Sequence, residues 1–173
     1  MSVLISNIDE IEVSQIEEIE KINKLLIDIE NGDVSAMRNM ALIYYGKKNY
    51  EEAVKYLLMA IELGDIGSIN IYGLYLISVT RNYSEAKKHL LVGVEQGSIT
   101  SMYYVGRCCY QVQDYKEMKK YLMMGIERGD VKAMRDLSLY YLKVEKNIEE
   151  SKKYMNMIST RHLKKCFRVK NIY

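Results

Sequence analysis

The residues able to carry covalent or metal chemistry are few: three cysteines, two histidines and eleven methionines in 173 residues. Cys108 and Cys109 are adjacent, and a thiolate nucleophile needs a base within reach and a third group to orient it. His89 precedes them in a different segment, and no orienting partner is evident. The pair is therefore expected to pack as small hydrophobes. His89 reads as a packing substitution. His162 stands in the C-terminal tail with no metal-ligand spacing around it. Met123, Met124, Met155 and Met157 read as gap-fillers rather than a soft metal site. Neither GxxxxGK[ST] nor GxGxxG occurs, so no phosphate loop is expected. No catalytic residue, metal or cofactor is expected.

The elements that would position such residues are set by a phrase that recurs. Gly-Asp-Val-Ser starts at Gly32, Gly-Asp-Ile-Gly at Gly64, Gly-Ser-Ile-Thr at Gly97 and Gly-Asp-Val-Lys at Gly129, at intervals of 32, 33 and 32 residues. Self-similarity at that period signals stacked helix pairs, each too small to bury its own apolar face. Gly suits the left-handed position after a helix, and Asp or Ser is a preferred N-cap for the next. Midway along each repeat stand Asn49, Asn82, Asp114 and Asn147, followed three residues later by Glu52, Glu85, Glu117 and Glu150. That pattern resembles a capping box. Each repeat is thus a first helix, a short turn, a second helix and a Gly turn.

Two kinds of column run through the aligned repeats. Small residues recur at Ala41, Gly73, Gly106 and Ser138 in the first helix. In the second helix they recur at Ala53, Ala86 and Ser151, with Met118 breaking the column, and at Ala60, Gly93 and Gly125, with Ile158 breaking it. Glycine in a helix costs about 1 kcal/mol against alanine, so its recurrence implies close helix approach. Larger apolar residues fill Met40, Tyr72, Val105 and Leu137, and Leu57, Leu90, Leu122 and Met155. The segment before Gly32 carries Ile22, Leu25, Leu26 and Ile29 at helical spacing. The expected organisation is an acidic half repeat or capping helix at 1–31, repeats at 32–63, 64–96, 97–128 and 129–158, and a basic capping helix or tail at 159–173.

These residues bring a family into view. Ala36-x3-Met40-Ala41-x2-Tyr44 resembles the first-helix signature of the Sel1-like repeat. Asn49-Tyr50-Glu51-Glu52-Ala53-Val54-Lys55-Tyr56, running on to Ala60 and Leu63-Gly64-Asp65, is similar to its second half. The resemblance covers 32–158. The family's second-helix Trp is replaced by Tyr56, His89, Tyr121 and Tyr154, and the short period approaches that of the sister tetratricopeptide repeats. Either resemblance implies an all-α, right-handed α-solenoid and a non-enzymatic scaffold or adaptor for protein partners. It also implies that the first helices line the concave face. The positions implied there are Arg38, Asn39, Leu42 and Tyr45 in the first repeat, and Asn70, Ile71, Leu74 and Ile77 in the second. They continue at Tyr103, Tyr104, Arg107 and Tyr110 in the third, and at Arg135, Asp136, Leu139 and Leu142 in the fourth. Tyr and Arg are enriched in binding hot spots, which favours the third repeat as anchor. Arg38, Arg107 and Arg135 are suited to a partner's carboxylates.

Charge is uneven although the whole chain is only +2. Residues 1–31 carry eight acids and two lysines, net −6, and residues 159–173 carry five cations and no acid. Arg161, Lys164, Lys165, Arg168 and Lys170 offer an alternative contact, with nucleic acid or an anionic membrane, or with the acidic N-terminus of a neighbouring copy, head to tail. Bulk charge itself argues against a polyanion binder. An odd cysteine count without a CxxC pair fits a reducing compartment. Residues 1–8 lack the pattern of a secretory leader, and no run reaches the ~18 apolar residues of a membrane span. An intracellular, cytoplasmic setting is expected.

Overall fold

The capping chemistry is where the chain commits to its elements. Asp33 accepts hydrogen bonds from the backbone N–H of Ser35 (2.7 Å) and Ala36 (3.2 Å). Asn49, Asn82, Asp114 and Asn147 each accept from the glutamate N–H three residues on. Each such cap satisfies an otherwise orphaned donor and contributes roughly 1 kcal/mol. In this computed structural model, which describes the backbone of residues 2–170 and the side chains of 15–161, the segments between caps are helices. They are α1 (Ser2–Glu30), α2 (Val34–Gly46), α3 (Tyr50–Glu62), α4 (Ile66–Tyr75), α5 (Tyr83–Glu95), α6 (Ile99–Gln111), α7 (Tyr115–Glu127), α8 (Val131–Lys143) and α9 (Ile148–Lys170). No strand occurs among the described residues.

Gly32, Gly64, Gly97 and Gly129 have φ of +83°, +83°, +79° and +86°. The midway turns also pass through the left-handed region, but without glycine. Lys48, Arg81, Gln113 and Lys146, each just before a cap, have φ of 59°, 55°, 61° and 52°. A left-handed residue costs about 1–2 kcal/mol outside glycine, and here the cap that follows offsets it.

Two of the repeats carry one residue more than the others before the midway cap. Gly32 to Asn49 and Gly97 to Asp114 are 17 residues, while Gly64 to Asn82 and Gly129 to Asn147 are 18. In the second repeat the extra residue is taken into the helix, which continues past α4 as a π turn, Leu76–Thr80. The Asn82 N–H then reaches back to the Leu76 carbonyl at 2.9 Å. In the fourth repeat it lengthens the turn between α8 and α9 instead. A π turn is how a helix absorbs a one-residue insertion.

The chain forms two compact units, one ending at Tyr72 and the other beginning at Gly73, so α4 belongs partly to each. In the first unit Leu25 of α1, flanked by Ile22 and Ile29, packs with Ala36 and Met40 of α2. Ala41, Ala53, Leu57 and Ala60 are fully enclosed, and Tyr44 stacks on Tyr56 at 5.8 Å and 6°. Tyr56, in place of the family's Trp, thus still serves as a stacking surface.

The second unit repeats that logic with substitutions. Leu90 and Leu122 fill the space where Gly73 and Gly106 lack a Cβ; a Cβ would stand 2.6 Å and 2.7 Å from their Cδ2 atoms. At the next repeat the small column holds Ser138, whose hydroxyl bonds Ser151 Oγ and the Ser151 carbonyl, both at 2.9 Å, in the core. Tyr141 stacks on Tyr154 at 5.7 Å and 6°. Cys109 occupies the column of Tyr44 and Tyr141, and is buried.

Ser68 in α4 gives a first prediction. Its Oγ is buried without a hydrogen-bond partner. An unsatisfied buried hydroxyl is costly, and alanine is the better helix former. Ser68→Ala should raise stability by up to about 1 kcal/mol, read as a higher denaturant midpoint with an unchanged slope.

Candidate partner-binding cleft

The helices α6, α7 and α8 of the second unit enclose a cleft of about 330 Å³. Ser98 caps α6 through the Ser101 N–H (3.1 Å), and Asp130 caps α8 through the Lys132 N–H (2.9 Å). With both starts fixed, helical spacing decides what faces the cleft. Tyr103, Arg107 and Tyr110, at i, i+4 and i+7, line it from α6. Asp136, Leu139, Tyr140 and Lys143 line it from α8, and Met118 and Leu122 of α7 form its floor. Gly106 is part of the lining, and its missing side chain is what lets Leu122 rise to that level.

The polar groups hold one another. The Tyr103 hydroxyl lies within the electrostatic reach of both Asp136 and Arg107. Burial and the Asp136 charge push its pKa up to about 12 against the opposing Arg107 charge, so it stays a neutral donor. Lys132 sits over its ring at 5.9 Å. On the far wall the Tyr140 hydroxyl donates to Glu145 Oε1 (2.8 Å), and Lys119 Nζ donates to the same oxygen (2.9 Å). Burial, then Glu145, pushes Tyr140 up to about 12. The hydrogen bonds from Lys119 and Tyr140 hold the Glu145 carboxyl below its ordinary range. Tyr110, Tyr115 and Tyr140 continue as an aromatic series, with centroids 6.0 and 5.1 Å apart. The wall is thereby pinned, whereas Lys143 forms no ion pair among the described residues.

Of the positions expected on the first-helix face, Tyr103, Arg107, Tyr110, Asp136 and Leu139 come together here. Tyr104 lies beside Tyr103, at 5.3 Å, outside the lining. Arg135 and Leu142 are exposed on α8. In the first unit Asn39 and Leu42 are exposed, and Tyr45 packs edge-on to Tyr50 at 5.4 Å. Asn70 and Ile71 are half-buried there, as is Leu74 in the second unit. Two expectations need correction. Arg38 already pairs within its own chain, Nη1 to Asp65 Oδ1 at 2.5 Å, so a partner's carboxylate would compete for it. Ile77 is only 6 % exposed, having entered the core with the π turn. Gln111, Tyr140 and Lys143 were not expected in the lining. The last two lie four and seven residues after Asp136, a spacing that would have found them.

The thiols offer no chemistry to this cleft. Cys108 and Cys109 are each 1 % exposed. Burial pushes Cys108 up to about 12 and raises Cys109, so neither is a thiolate near neutrality. His89 is bound to Glu85 through Nε2 at 3.0 Å, and Met123 Sδ accepts from the Tyr154 hydroxyl. No cluster of three metal-ligating His, Cys, Asp or Glu side chains occurs among the described residues. No helix among them is long and apolar enough to cross a membrane.

In the C-terminal region α9 runs unbroken from Ile148 to Lys170. Arg161 lays its guanidinium in the space that a Cβ on Gly129 would need. Arg128 sits in the same way against Gly97, donating to its carbonyl at 2.7 Å. The side chains of His162, Lys164, Lys165, Cys166, Arg168 and Lys170 lie outside the described residues.

Tandem antiparallel helix pairs joined by Gly-Asp turns define an α-solenoid of the helical-repeat class. Three solved structures share this architecture. One is a Sel1 repeat protein from Oxalobacter formigenes (TM-score 0.61, 19% identity, 81% of this chain and 63% of that one). Another is the c5321 protective antigen of uropathogenic Escherichia coli strains, which displays an SLR fold (0.66, 17%, 81% and 33%). The third is a protein from Klebsiella pneumoniae subsp. pneumoniae described as a Sel1 repeat protein (0.63, 19%, 80% and 73%). The chain therefore spans 63% and 33% of the length of the first two, and at these identities the likeness is one of fold. No curated protein sequence matches the chain. The Sel1 repeat profile matches residues 34–65, 67–98 and 131–160, and the chain belongs to the Sel1 repeat family. Members of this family are generally protein–protein interaction scaffolds, typically without enzymatic activity. The stretch left unmatched, 99–130, is the one that supplies α6 and α7 to the cleft.

Proposed function

We propose that the cleft between α6 and α8 docks a segment of a protein partner in which an apolar side chain stands next to a carboxylate. The observation that carries this reading is exposed apolar surface set beside positive charge. Tyr110 is 43 % and Leu139 42 % exposed, and Arg107 and Lys143 flank them. Tyrosine and arginine anchors in a preformed pocket are the usual carriers of binding energy, and the pinned tyrosine walls lower the ordering cost. A volume near the lower end of ligand pockets (roughly 300–1,000 Å³) suits one or two side chains of a longer segment. The protein then acts as an adaptor, and its buried free thiols suit a reducing compartment. The basic tail is a second reading, of which Arg161 alone is described, lying against Gly129.

Arg107→Ala/Tyr110→Ala/Leu139→Ala removes the anchors while leaving the core intact. Partner capture by this variant should fall at least about tenfold, with circular dichroism and thermal midpoint close to wild type. Undiminished capture by the folded variant would remove the cleft from consideration.

A further inference from the structure

The face that carries the cleft is more basic than the cleft alone. On α8, Lys132 and Arg135 are exposed one to two turns before Leu139, and Lys132 is tied to the cleft through the Tyr103 ring. With Arg107 and Lys143 they outnumber the carboxylate that lines the cleft, Asp136. Arg135 and Lys143 form no ion pair among the described residues. Tyr110 and Leu139 place apolar surface between these cations.

The chain also carries the complement of that face. Helix α1 buries one stripe, Ile22, Leu25 and Ile29, against α2. A second stripe on its other side stays uncovered: Ile16, Ile19 and Ile27 are 56 %, 57 % and 59 % exposed. Glu17 and Glu20 are exposed beside Ile16 and Ile19, and residues 1–31 are net −6. An amphipathic helix with i, i+3 and i+4 positions of Ile, Ile and Glu is the form in which a helix enters a groove.

We propose that α1 of a second copy of this chain docks on the α6–α8 face, its isoleucines against Tyr110 and Leu139 and its glutamates against Arg135 and Lys143. The inference rests on reading that face as a docking surface, and gives it an occupant. The two patches are different surfaces of one chain, so a single contact is heterologous, and the pair it joins keeps one free α1 on one copy and one free cleft on the other. Assembly therefore continues beyond two copies as concentration rises. It competes with any foreign segment for the cleft. Opposed charges make it salt-sensitive.

Sedimentation velocity on the full chain tests this. Two charge-reversed variants serve: Arg135→Glu/Lys143→Glu, altering exposed groups of the face, and Glu17→Lys/Glu20→Lys, altering α1. Wild type should associate with rising concentration at low salt and dissociate as salt is raised. Each variant alone should associate at least about tenfold more weakly. Mixed one to one, they should regain association, because the native α1 of one meets the native face of the other and the two reversed patches are themselves oppositely charged. A monomeric wild type, variants that associate as wild type does, or a mixture that stays monomeric would each overturn the proposal. If wild type is monomeric while the Arg107/Tyr110/Leu139 variant still loses its foreign partner, the self-docking falls and the partner-binding cleft stands.

Discussion

Gly106→Val should destabilise the protein by about 1–3 kcal/mol, the usual range for overpacking a closed core. A Cβ at this position would come 2.7 Å from Leu122 Cδ2 and 2.9 Å from its Cγ, and Leu122 is only 2 % exposed. Leu122 also floors the cleft, so the added side chain either drives it from its packed position into that space or pushes α6 from α7. Leu122→Ala should itself cost about 2–5 kcal/mol, through lost burial and the cavity left behind. The two sites are coupled. A Cβ on residue 106 projects into the volume that Leu122 vacates, so Gly106→Ala/Leu122→Ala should be more stable than the sum of the single effects predicts. Gly125 is the control. Its nearest neighbours to a built Cβ are at 3.6 Å, ordinary contact. Gly125→Ala should stabilise by about 0.4–1 kcal/mol through the unfolded chain and helix propensity. Urea midpoints for the set of variants measure all of this. Equal signs for Gly106→Ala/Val and Gly125→Ala would mean that close packing is not what distinguishes the two glycines.

Asp65→Ala should cost about 2 kcal/mol, because one carboxylate serves two roles. Its Oδ2 accepts from the Ser68 backbone N–H at 2.7 Å as the cap of α4, and its Oδ1 receives Arg38. Loss of the cap costs about 1 kcal/mol. The remainder comes from leaving Arg38 beside Gly67 without its counter-charge, discounted because the arginine side chain is 30% exposed. Asp65→Asn keeps the cap and loses the charge, and should cost about half as much. The pH dependence separates the two roles. Burial pushes the Asp65 carboxyl up, but the Ser68 backbone N–H and the Arg38 guanidinium hold the net value below 3.8. A depressed carboxylate pKa stabilises fully above the unfolded value and is lost as pH falls through the folded one. The margin of wild type over Asp65→Asn should thus be complete at pH 5–7 and shrink steadily below 3.8. A margin constant from pH 7 to pH 2.5 would remove the ion pair from the account.

The parts of the fold that could be read in advance are those governed by neighbours in the chain. A Gly-Asp pair is a helix stop and a helix start within two residues, and an Asn followed three residues later by Glu is a cap and its first turn. Neither depends on what packs against it. Lys48, Arg81, Gln113 and Lys146 escaped notice because a left-handed residue that is not glycine has no compositional mark. The cleft was partly legible. Helical phase put Tyr103, Arg107 and Tyr110 together on α6. Which of α8's residues meet them depends on how α6 and α8 lie across α7. Arg38 shows the opposite limit: its side chain is long enough to reach Asp65, 27 residues away, and no local spacing reveals that. Gly125 shared a column with Ala60 and Gly93, but the space around it is set by Ala133 and Asp130 of the next helix.

The two ways of housing one additional residue, a π turn before Asn82 and a longer turn before Asn147, end at the same kind of joint. In both, a left-handed residue leads into a capping side chain that bonds the glutamate N–H three residues later. The cap acts as a clutch: whatever length is gained upstream, the helix after it restarts on the same hydrogen bond. A single-codon insertion there alters the end of one helix and leaves the capping bond of the next in place. Such an array can drift in length at its joints and keep the same start for the helix that follows.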